Sequence, residues 1–336
     1  MKEAKRVFVI IGLIGLWVFL FHSIDLAVAK DPDYPVKPIN FYIPFGAGGT
    51  TDLTCRAFIE AAGKILGQPF VPINKPGAGG TLTAMAVMTA KPDGYTLGAV
   101  ATSMVFVAPF SEECPYRDLT GFTLIMNFGN YVWPLIVKAD TPWKTWKEFV
   151  EWARKNPRAA KIGIVGAKTV AAQGFSLWQI EKKENVEFTF IPLKSSAEIL
   201  TATLGGHITL YSSTADATIV PYIEEGKLRI LAYHSSMGKI PGYEKFPSLE
   251  EQYGLLEPNV LGVFGPKGLP DNVLVRLDDA FVKAVKDPGF ISVMNRMYTS
   301  IVYMNRAEFN KYIENIYPKF GEKYKLLRAE EAKEKK

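Results

Sequence analysis

A chain of 336 residues, 48 % of them apolar, is long enough to bury more than one core, and its length fits about two domains. A net charge of +5, spread along the chain, excludes a nucleic-acid-binding stripe and agrees with attraction of small anions. Two cysteines, Cys55 and Cys114, exclude a disulfide-dependent scaffold; they are read as two buried thiols, although their spacing leaves one bridge open.

The chain starts with a basic cluster, Lys2, Lys5 and Arg6, followed by the unbroken apolar run 7–21 and then by Ala27-Val28-Ala29. This order is that of a secretory signal peptide, and the run is shorter than the ~20 residues a membrane span needs. Residues 1–29 are therefore expected to be removed by cleavage after Ala29, which releases a secreted mature protein; the competing reading is an uncleaved anchor. No cysteine adjoins the cleavage site, so no lipid anchor is expected. The mature chain keeps 36 basic and 32 acidic residues, a net charge of +4.

From residue 38 onward, short β-rich runs alternate with amphipathic helices. Residues 39–45 (INFYIPF) predict a strand. It leads into Gly46-Ala47-Gly48-Gly49-Thr50 and then a helix whose apolar residues Leu53, Ala57, Ala61 and Ile65 recur every four positions, with Phe58, Ala62 and Leu66 beside them. Thr50 or Thr51 is the expected cap, Asp52 suits the first turn, and Gly67 and Pro69 end the helix. Residues 70–73 predict a second strand. A second GAGGT, Gly77 to Thr81, follows, then a helix capped by Thr81 with Leu82, Met85, Ala86 and Ala90 on one side. A turn at 91–94 and a strand at 95–100 close this part. Each pentapeptide thus sits between a strand and a helix, the βα grammar of a parallel sheet.

Further strands are predicted at 135–137, 161–165, 187–191, 207–211 and 228–232. Helices are predicted within 140–157, after the Gly166-Ala167-Lys168-Thr169 loop, and within 265–288. The charge-rich tail from Lys323 is expected to fray into solvent.

A glycine turn ahead of a helix lets main-chain N–H groups converge without a side chain in the way, and the helix dipole adds positive character. Such a spot binds carboxylate or phosphate. Two of them at the carboxyl ends of neighbouring parallel strands lie on one sheet edge, where open α/β folds bind ligands. They can hold one anion from two sides or the two ends of one small acid; the competing reading is a pair of plain tight turns. Neither loop carries the Lys-Ser/Thr of a P-loop or the spacing of a dinucleotide fingerprint. His22, His207 and His234 are the only histidines, and no HExxH, CxxC or GxSxG occurs, so no catalytic residue, metal site or cofactor is expected. Trp143, Trp146 and Trp152 are read as packing residues. Trp133 is either a packing residue or a pocket wall.

Residues 34–52 (YPVKPINFYIPFGAGGTTD), 66–81 (LGQPFVPINKPGAGGT) and 91–97 (KPDGYTL), with 190–208, 223–232, 246–254 and 265–277 following in order, resemble the extracytoplasmic solute receptors of tripartite tricarboxylate transporters, the Bug family. The resemblance implies a type II periplasmic binding protein of α/β class, each domain a sheet flanked by helices, with the ligand cleft between domains at a hinge. Domain 1 would comprise 30–131 plus 255–336 and domain 2 would be the inserted 132–254. It also implies a monomeric, non-enzymatic receptor that passes a small carboxylate to a membrane permease, closing on the ligand by a hinge motion. Carried onto this chain, the ligand-binding set is Phe45, Gly46, Ala47, Gly48, Gly49 and Thr50, with Asp52 organising the helix start; then Ala78, Gly79, Gly80 and Thr81; then Ser103; and, from the far domain, Gly166 and Thr169. The chain departs from the family's usual residues at Ser195, Thr209 and around Lys239. Lys168 is either an extra cation for the ligand or a solvent-facing lysine. Two other readings remain: a ligand sensor feeding a membrane signalling protein, and a periplasmic hydrolase or transferase.

Overall fold

Runs rich in β-branched and aromatic residues form eleven strands in two mixed sheets in a computed structural model that describes residues 34–110, 114–166, 168 and 171–334. The expected signal peptide, 1–29, and Thr169 lie outside the described residues. Residues from Lys37 on belong to one compact unit, and residues 34–36, ahead of it, contain neither strand nor helix.

The first sheet has the order β11-β4-β10-β3-β1-β2. Its strands are β1 (Ile39–Ile43), β2 (Phe70–Asn74), β3 (Thr96–Ala101), β4 (Phe122–Asn130), β10 (Leu261–Pro266) and β11 (Ser300–Met304). β1 pairs parallel with β2 and β3, while β10 runs antiparallel between β3 and β4. Strands β1 to β4 therefore share one direction, and their carboxyl ends share one edge. The second sheet has the order β7-β6-β8-β5-β9, built from β5 (Pro134–Lys138), β6 (Lys161–Val165), β7 (Thr189–Leu193), β8 (Leu210–Ser212) and β9 (Leu228–Tyr233). β6 pairs parallel with β7 and β8, and β5 is antiparallel to β8 and β9. The carboxyl ends of β6 to β9 thus lie beside the amino end of β5.

That arrangement decides how the sheets meet. Residues 131–133 join the carboxyl end of β4 to the amino end of β5. Four Cα steps span at most about 14 Å. The edge bearing the glycine loops and the carboxyl edge of the second sheet are therefore close neighbours at this crossing. The return crossing, from the end of β9 to Asn259, reaches the amino end of β10 on that same edge of the first sheet.

Helix α1 (Thr50–Leu66) follows β1 and buries Phe58, Ile59, Ala61, Ala62 and Leu66. Phe58 stacks on Phe128 at 4.7 Å and 10°, and meets Phe281 of α8 (Asp271–Ala284) and Phe290 of α9 (Pro288–Arg296). Full burial of such a ring stabilises by about 1.5–3 kcal/mol. Gly67, at φ +75, ends α1 by donating its N–H to Gly63 O. In the second sheet, α3 (Trp146–Lys155), capped by Thr145, packs Trp146 and Phe149, while Trp152 sits against Trp143 at 4.5 Å. These three tryptophans pack among aromatic rings.

A third aromatic cluster joins the two sheets' surroundings. Phe175 of α4 (Ala172–Glu184) lies 4.4 Å from Phe320 of the last helix, α10 (Arg306–Glu334), and packs with Met104 to Phe106, which follow β3. The tail does not fray at Lys323. Tyr324 and Leu327 are fully buried, and Glu330 accepts from Trp178 Nε1 at 2.9 Å and pairs with Lys182. A tail with sparse apolar residues stays helical because two of them land on this cluster.

Both helix starts differ from expectation. Gly49 stands at the cap position of α1, and Gly80 at that of α2 (Thr81–Met88); no side chain caps either one. Thr50 and Thr81 are the first helical residues instead. Helix α2 ends before Ala90. Cys55 and Cys114 are both free and buried, without a bridge.

Candidate functional site

The first glycine loop is held from behind. Asp52, 2 % exposed, accepts the Gly48 N–H on Oδ2 at 2.8 Å. Its Oδ1 accepts from Arg56 Nε and from Asn74 Nδ2, both at 2.8 Å. Asn74, at the end of β2, also donates to Phe45 O at 2.9 Å and accepts from Arg56 at 2.8 Å. One buried carboxylate, one guanidinium and one amide thus fix loop 1 to the neighbouring strand, and the carboxylate's charge is balanced locally. Gly48 has φ +84, a conformation suited to glycine. Phe45 is half-buried and Gly46 to Gly49 are exposed. A Cβ on Gly46 would meet nothing within 4 Å, so the space before the loop is open.

The second loop has a different backbone. Gly77, Ala78, Gly79 and Gly80 have φ of 142, 46, 64 and 99, four positive values in succession. Ala78 is the strained member, since left-handed φ costs a non-glycine residue about 1–3 kcal/mol. Its carbonyl accepts from Thr81 Oγ1 at 2.8 Å, and the Gly79 carbonyl accepts from Ser103 Oγ at 2.9 Å. In a trans peptide the next residue's N–H points opposite to the carbonyl. Pinning Ala78 O therefore turns the Gly79 N–H outward. The second loop lies against the residue leading into the first, because a Cβ on Gly80 would lie 3.2 Å from Pro44 Cβ.

The expected donors divide into two groups. The N–H of Gly48 is taken by Asp52 and that of Gly80 by Gly77 O at 3.0 Å. The N–H groups of Gly46, Ala47, Gly49, Ala78 and Gly79 have no hydrogen-bond partner among the described residues. Thr50 and Thr51 add the unpaired first-turn N–H groups of α1. The hydroxyl protons of Ser103 and Thr81 are spent on loop carbonyls, so these residues shape the loop and offer only lone pairs. The result is a patch of main-chain donors whose one carboxylate, Asp52, is buried and paired behind the loop, suited to a carboxylate.

On the second sheet, Gly166 has φ +79 and gives its N–H to Leu193 O at 3.1 Å. Lys168 is not a solvent-facing side chain. Its ammonium pairs with Glu181 at 2.6 Å over the Phe190 ring, with the side chain 18 % exposed. Trp133 is buried, stacked on Tyr131 and edge-on to His234, so it packs in the crossing. Tyr131 in turn bonds Thr51 Oγ1 at 2.8 Å, which links the crossing to the start of α1.

His234 is fully buried between Ser176 Oγ at 2.7 Å and Ser212 Oγ at 2.9 Å, and burial lowers its pKa to about 3. Glu257, on the return crossing, is pushed well above the usual carboxylate range by burial, against the Ser176 hydroxyl and Lys323, and one of its oxygens has no partner. These groups are sealed from solvent. His207 is exposed in a turn. A groove of about 590 Å³ lies between α1 and β2, lined by Ile59, Gly63, Pro69 and Phe70 among others. Arg56, which holds Asp52 behind loop 1, also lines it, so the groove runs from the back of that loop toward the end where β2 begins.

Sequence reading missed Asn74, Arg56 and Tyr131. Asn74 and Arg56 carry a local signal, a polar residue ending a strand and a basic residue four after Asp52; Tyr131 carries none.

Comparison with known proteins bears on this geometry. The family profile described as tripartite tricarboxylate transporter family receptor matches residues 54–326. The UPF0065 protein in the gbd 5' region of Cupriavidus necator is 33 % identical over 288 residues, covering 85 % of this chain and 86 % of its own. A TctC solute-binding protein from Polaromonas, solved without ligand, is 28 % identical with a TM-score of 0.72, covering 86 % of this chain and 98 % of that one. MatC from Rhodopseudomonas palustris, solved with bound malate, has a TM-score of 0.71 at 21 % identity over 87 % of this chain and 100 % of its own; it shares the fold.

Proposed function

We propose, from the premise that this chain belongs to the tripartite tricarboxylate transporter receptor family, that it captures a small carboxylate in the periplasm, as a monomer, and delivers it to the membrane permease of such a transporter. A receptor of this family does no chemistry on its solute. Its two domains, on this reading, are 30–131 with 255–336, and 132–254, and the crossings at 131–133 and 255–258 act as the hinge. The expected secretion by cleavage after Ala29 completes the reading.

The observation that carries it is the pair of neighbouring loops, on parallel strands β1 and β2, in which the Ala78 and Gly79 carbonyls are tied back. Five N–H groups of Gly46, Ala47, Gly49, Ala78 and Gly79 are left to an anion. Such donors reward a carboxylate because its charge-assisted hydrogen bonds are about twice as strong as neutral ones. The malate held by MatC on the same fold supports the choice of a carboxylate over a phosphate.

The test is a thermal-shift screen of carboxylic acids on the chain from Lys30. An acid present at a hundred times its dissociation constant adds about 2.7 kcal/mol. Gly46→Leu, whose Cβ enters open space, fills the approach to loop 1 and is expected to abolish the shift. Full binding by that variant would show that the loop is not the site.

A further inference from the structure

The glycine loops account for one end of a solute, and the facing edge of the second sheet shows what meets the other end. This inference rests on the carboxylate reading above. At the carboxyl ends of β7 and β8 three hydroxyls gather. Ser196 Oγ, at the start of α5 (Ser196–Leu204), lies 2.7 Å from Ser213 Oγ and 3.2 Å from Thr214 Oγ1. Ser213 is 3 % exposed, while Ser196 and Thr214 are half-buried. The helix does not need them, because its cap is Ser195, which accepts the Glu198 N–H. The Tyr211 phenol also bonds Ser196 and Ser213, so the three hydroxyl protons are shared within the cluster and what it offers a solute is chiefly lone pairs. By the strand directions, these hydroxyls sit on the edge joined to the glycine loops by residues 131–133.

The charges around this cluster are unfavourable to a second anion. Lys168, the cation of the neighbouring loop, is consumed by Glu181. Lys239 donates to Glu244 O. Asp216 lies close enough for its charge to raise the pKa of Tyr211, whose phenol bonds Thr214 O. Lys194, the other cation nearby in sequence, is exposed. A distal carboxylate here would give up hydration for neutral hydroxyls beside a fixed negative charge. A hydroxyl or amide would exchange water for equivalent partners.

We infer that Ser196, Ser213 and Thr214 form a distal subsite for an uncharged hydrogen-bonding group, so that the solute is a polar monocarboxylate, such as a hydroxy acid, and not a dicarboxylate. A site built to pair a polar group discriminates strongly against analogues that leave its hydroxyls unpaired.

Calorimetric titration of the mature chain with butyrate, 4-hydroxybutyrate and succinate tests this. The hydroxy acid is expected to bind about tenfold more tightly than either of the others. Ser196→Ala and Ser213→Ala should each remove most of that margin and leave butyrate affinity unchanged. Ser196 is half-buried, so its variant keeps the test sound if the Ser213 variant folds poorly. Lys194→Gln should leave all three affinities in place. Succinate binding as tightly as the hydroxy acid, a margin that survives both serine variants, or a tenfold loss in Lys194→Gln would overturn the inference while leaving the glycine-loop site standing. If none of the three acids, nor any in the wider screen, binds, the glycine-loop reading fails and takes this inference with it.

Discussion

The same pentapeptide folds in two ways in this protein. In Gly46–Thr50 only Gly48 has a positive φ, whereas in Gly77–Thr81 the first four residues all do. The difference comes from residues outside the repeat. Two positions after the first copy stands Asp52, which takes the Gly48 N–H and anchors it to Arg56 and Asn74. Two positions after the second copy stands Thr83, which donates to Lys75 O at 3.0 Å and leaves the loop to be shaped by Thr81 and Ser103. Identical glycine loops are therefore permissive, and the flanking side chains decide which N–H groups face outward.

The largest expected effect sits on the anchored loop. Asp52→Ala leaves a guanidinium, an amide and a main-chain N–H without their shared acceptor. Arg56 is 40 % exposed, so water recovers part of the loss, and a destabilisation of about 2–3 kcal/mol is expected from denaturant unfolding. The matching Thr83→Ala should cost about 1 kcal/mol. Equal costs would break the comparison.

Backbone shape gives the next contrast. Gly80→Ala forces a side chain into φ +99 and within 3.2 Å of Pro44 Cβ, at a cost of about 1–3 kcal/mol. Gly46→Ala meets nothing within 4 Å and should stay within about 0.5 kcal/mol of the parent.

Protonation separates both loops from the junction behind them. His234, with its pKa depressed to about 3, adds stability above its ordinary value of 6.5, and that stability is lost as pH falls from 6.5 toward 3. Glu257, raised by burial, adds stability that is present below the usual carboxylate range and lost as pH rises from there toward its elevated value. Glu257→Gln should flatten the loss on the rising side, measured as melting temperature against pH, and leave the acid-side loss in place. The loop variants should keep the parent's profile. A profile unchanged by Glu257→Gln would show that this carboxyl does not titrate in the fold.

Much of the architecture is visible in local pattern. The βα slots of both GAGGT copies and the capped, tryptophan-rich α3 follow from spacing alone, whereas in α1 the buried face is that of Phe58, Ala62 and Leu66, and the row begun by Leu53, itself 37 % exposed, turns outward except at Ala61. The unseen parts depend on distant pairing. β4, β10 and β11 lie together although Phe122 and Ser300 are far apart in sequence, and β10 inserts between strands formed much earlier in the chain. The last helix persists past Lys323 because Tyr324 and Leu327 reach an aromatic cluster that includes Phe175. In the site, glycine identity pointed to the loops. It did not tell which N–H groups were already spent, because Asp52, Gly77 and Ser103 decide that through contacts. Lys168 looked available for want of any sign that Glu181 lies against it.

The central claim is that outward-facing main-chain amides of both loops hold one carboxylate. The most direct measurement is a backbone-amide NMR titration of the mature chain with an acid that raises its melting temperature. The amide resonances of Gly46, Ala47, Gly49, Ala78 and Gly79 should move together on binding, while those of Gly48 and Gly80, already bonded within the protein, should move least. Saturation of the receptor with those five resonances unmoved would contradict the account.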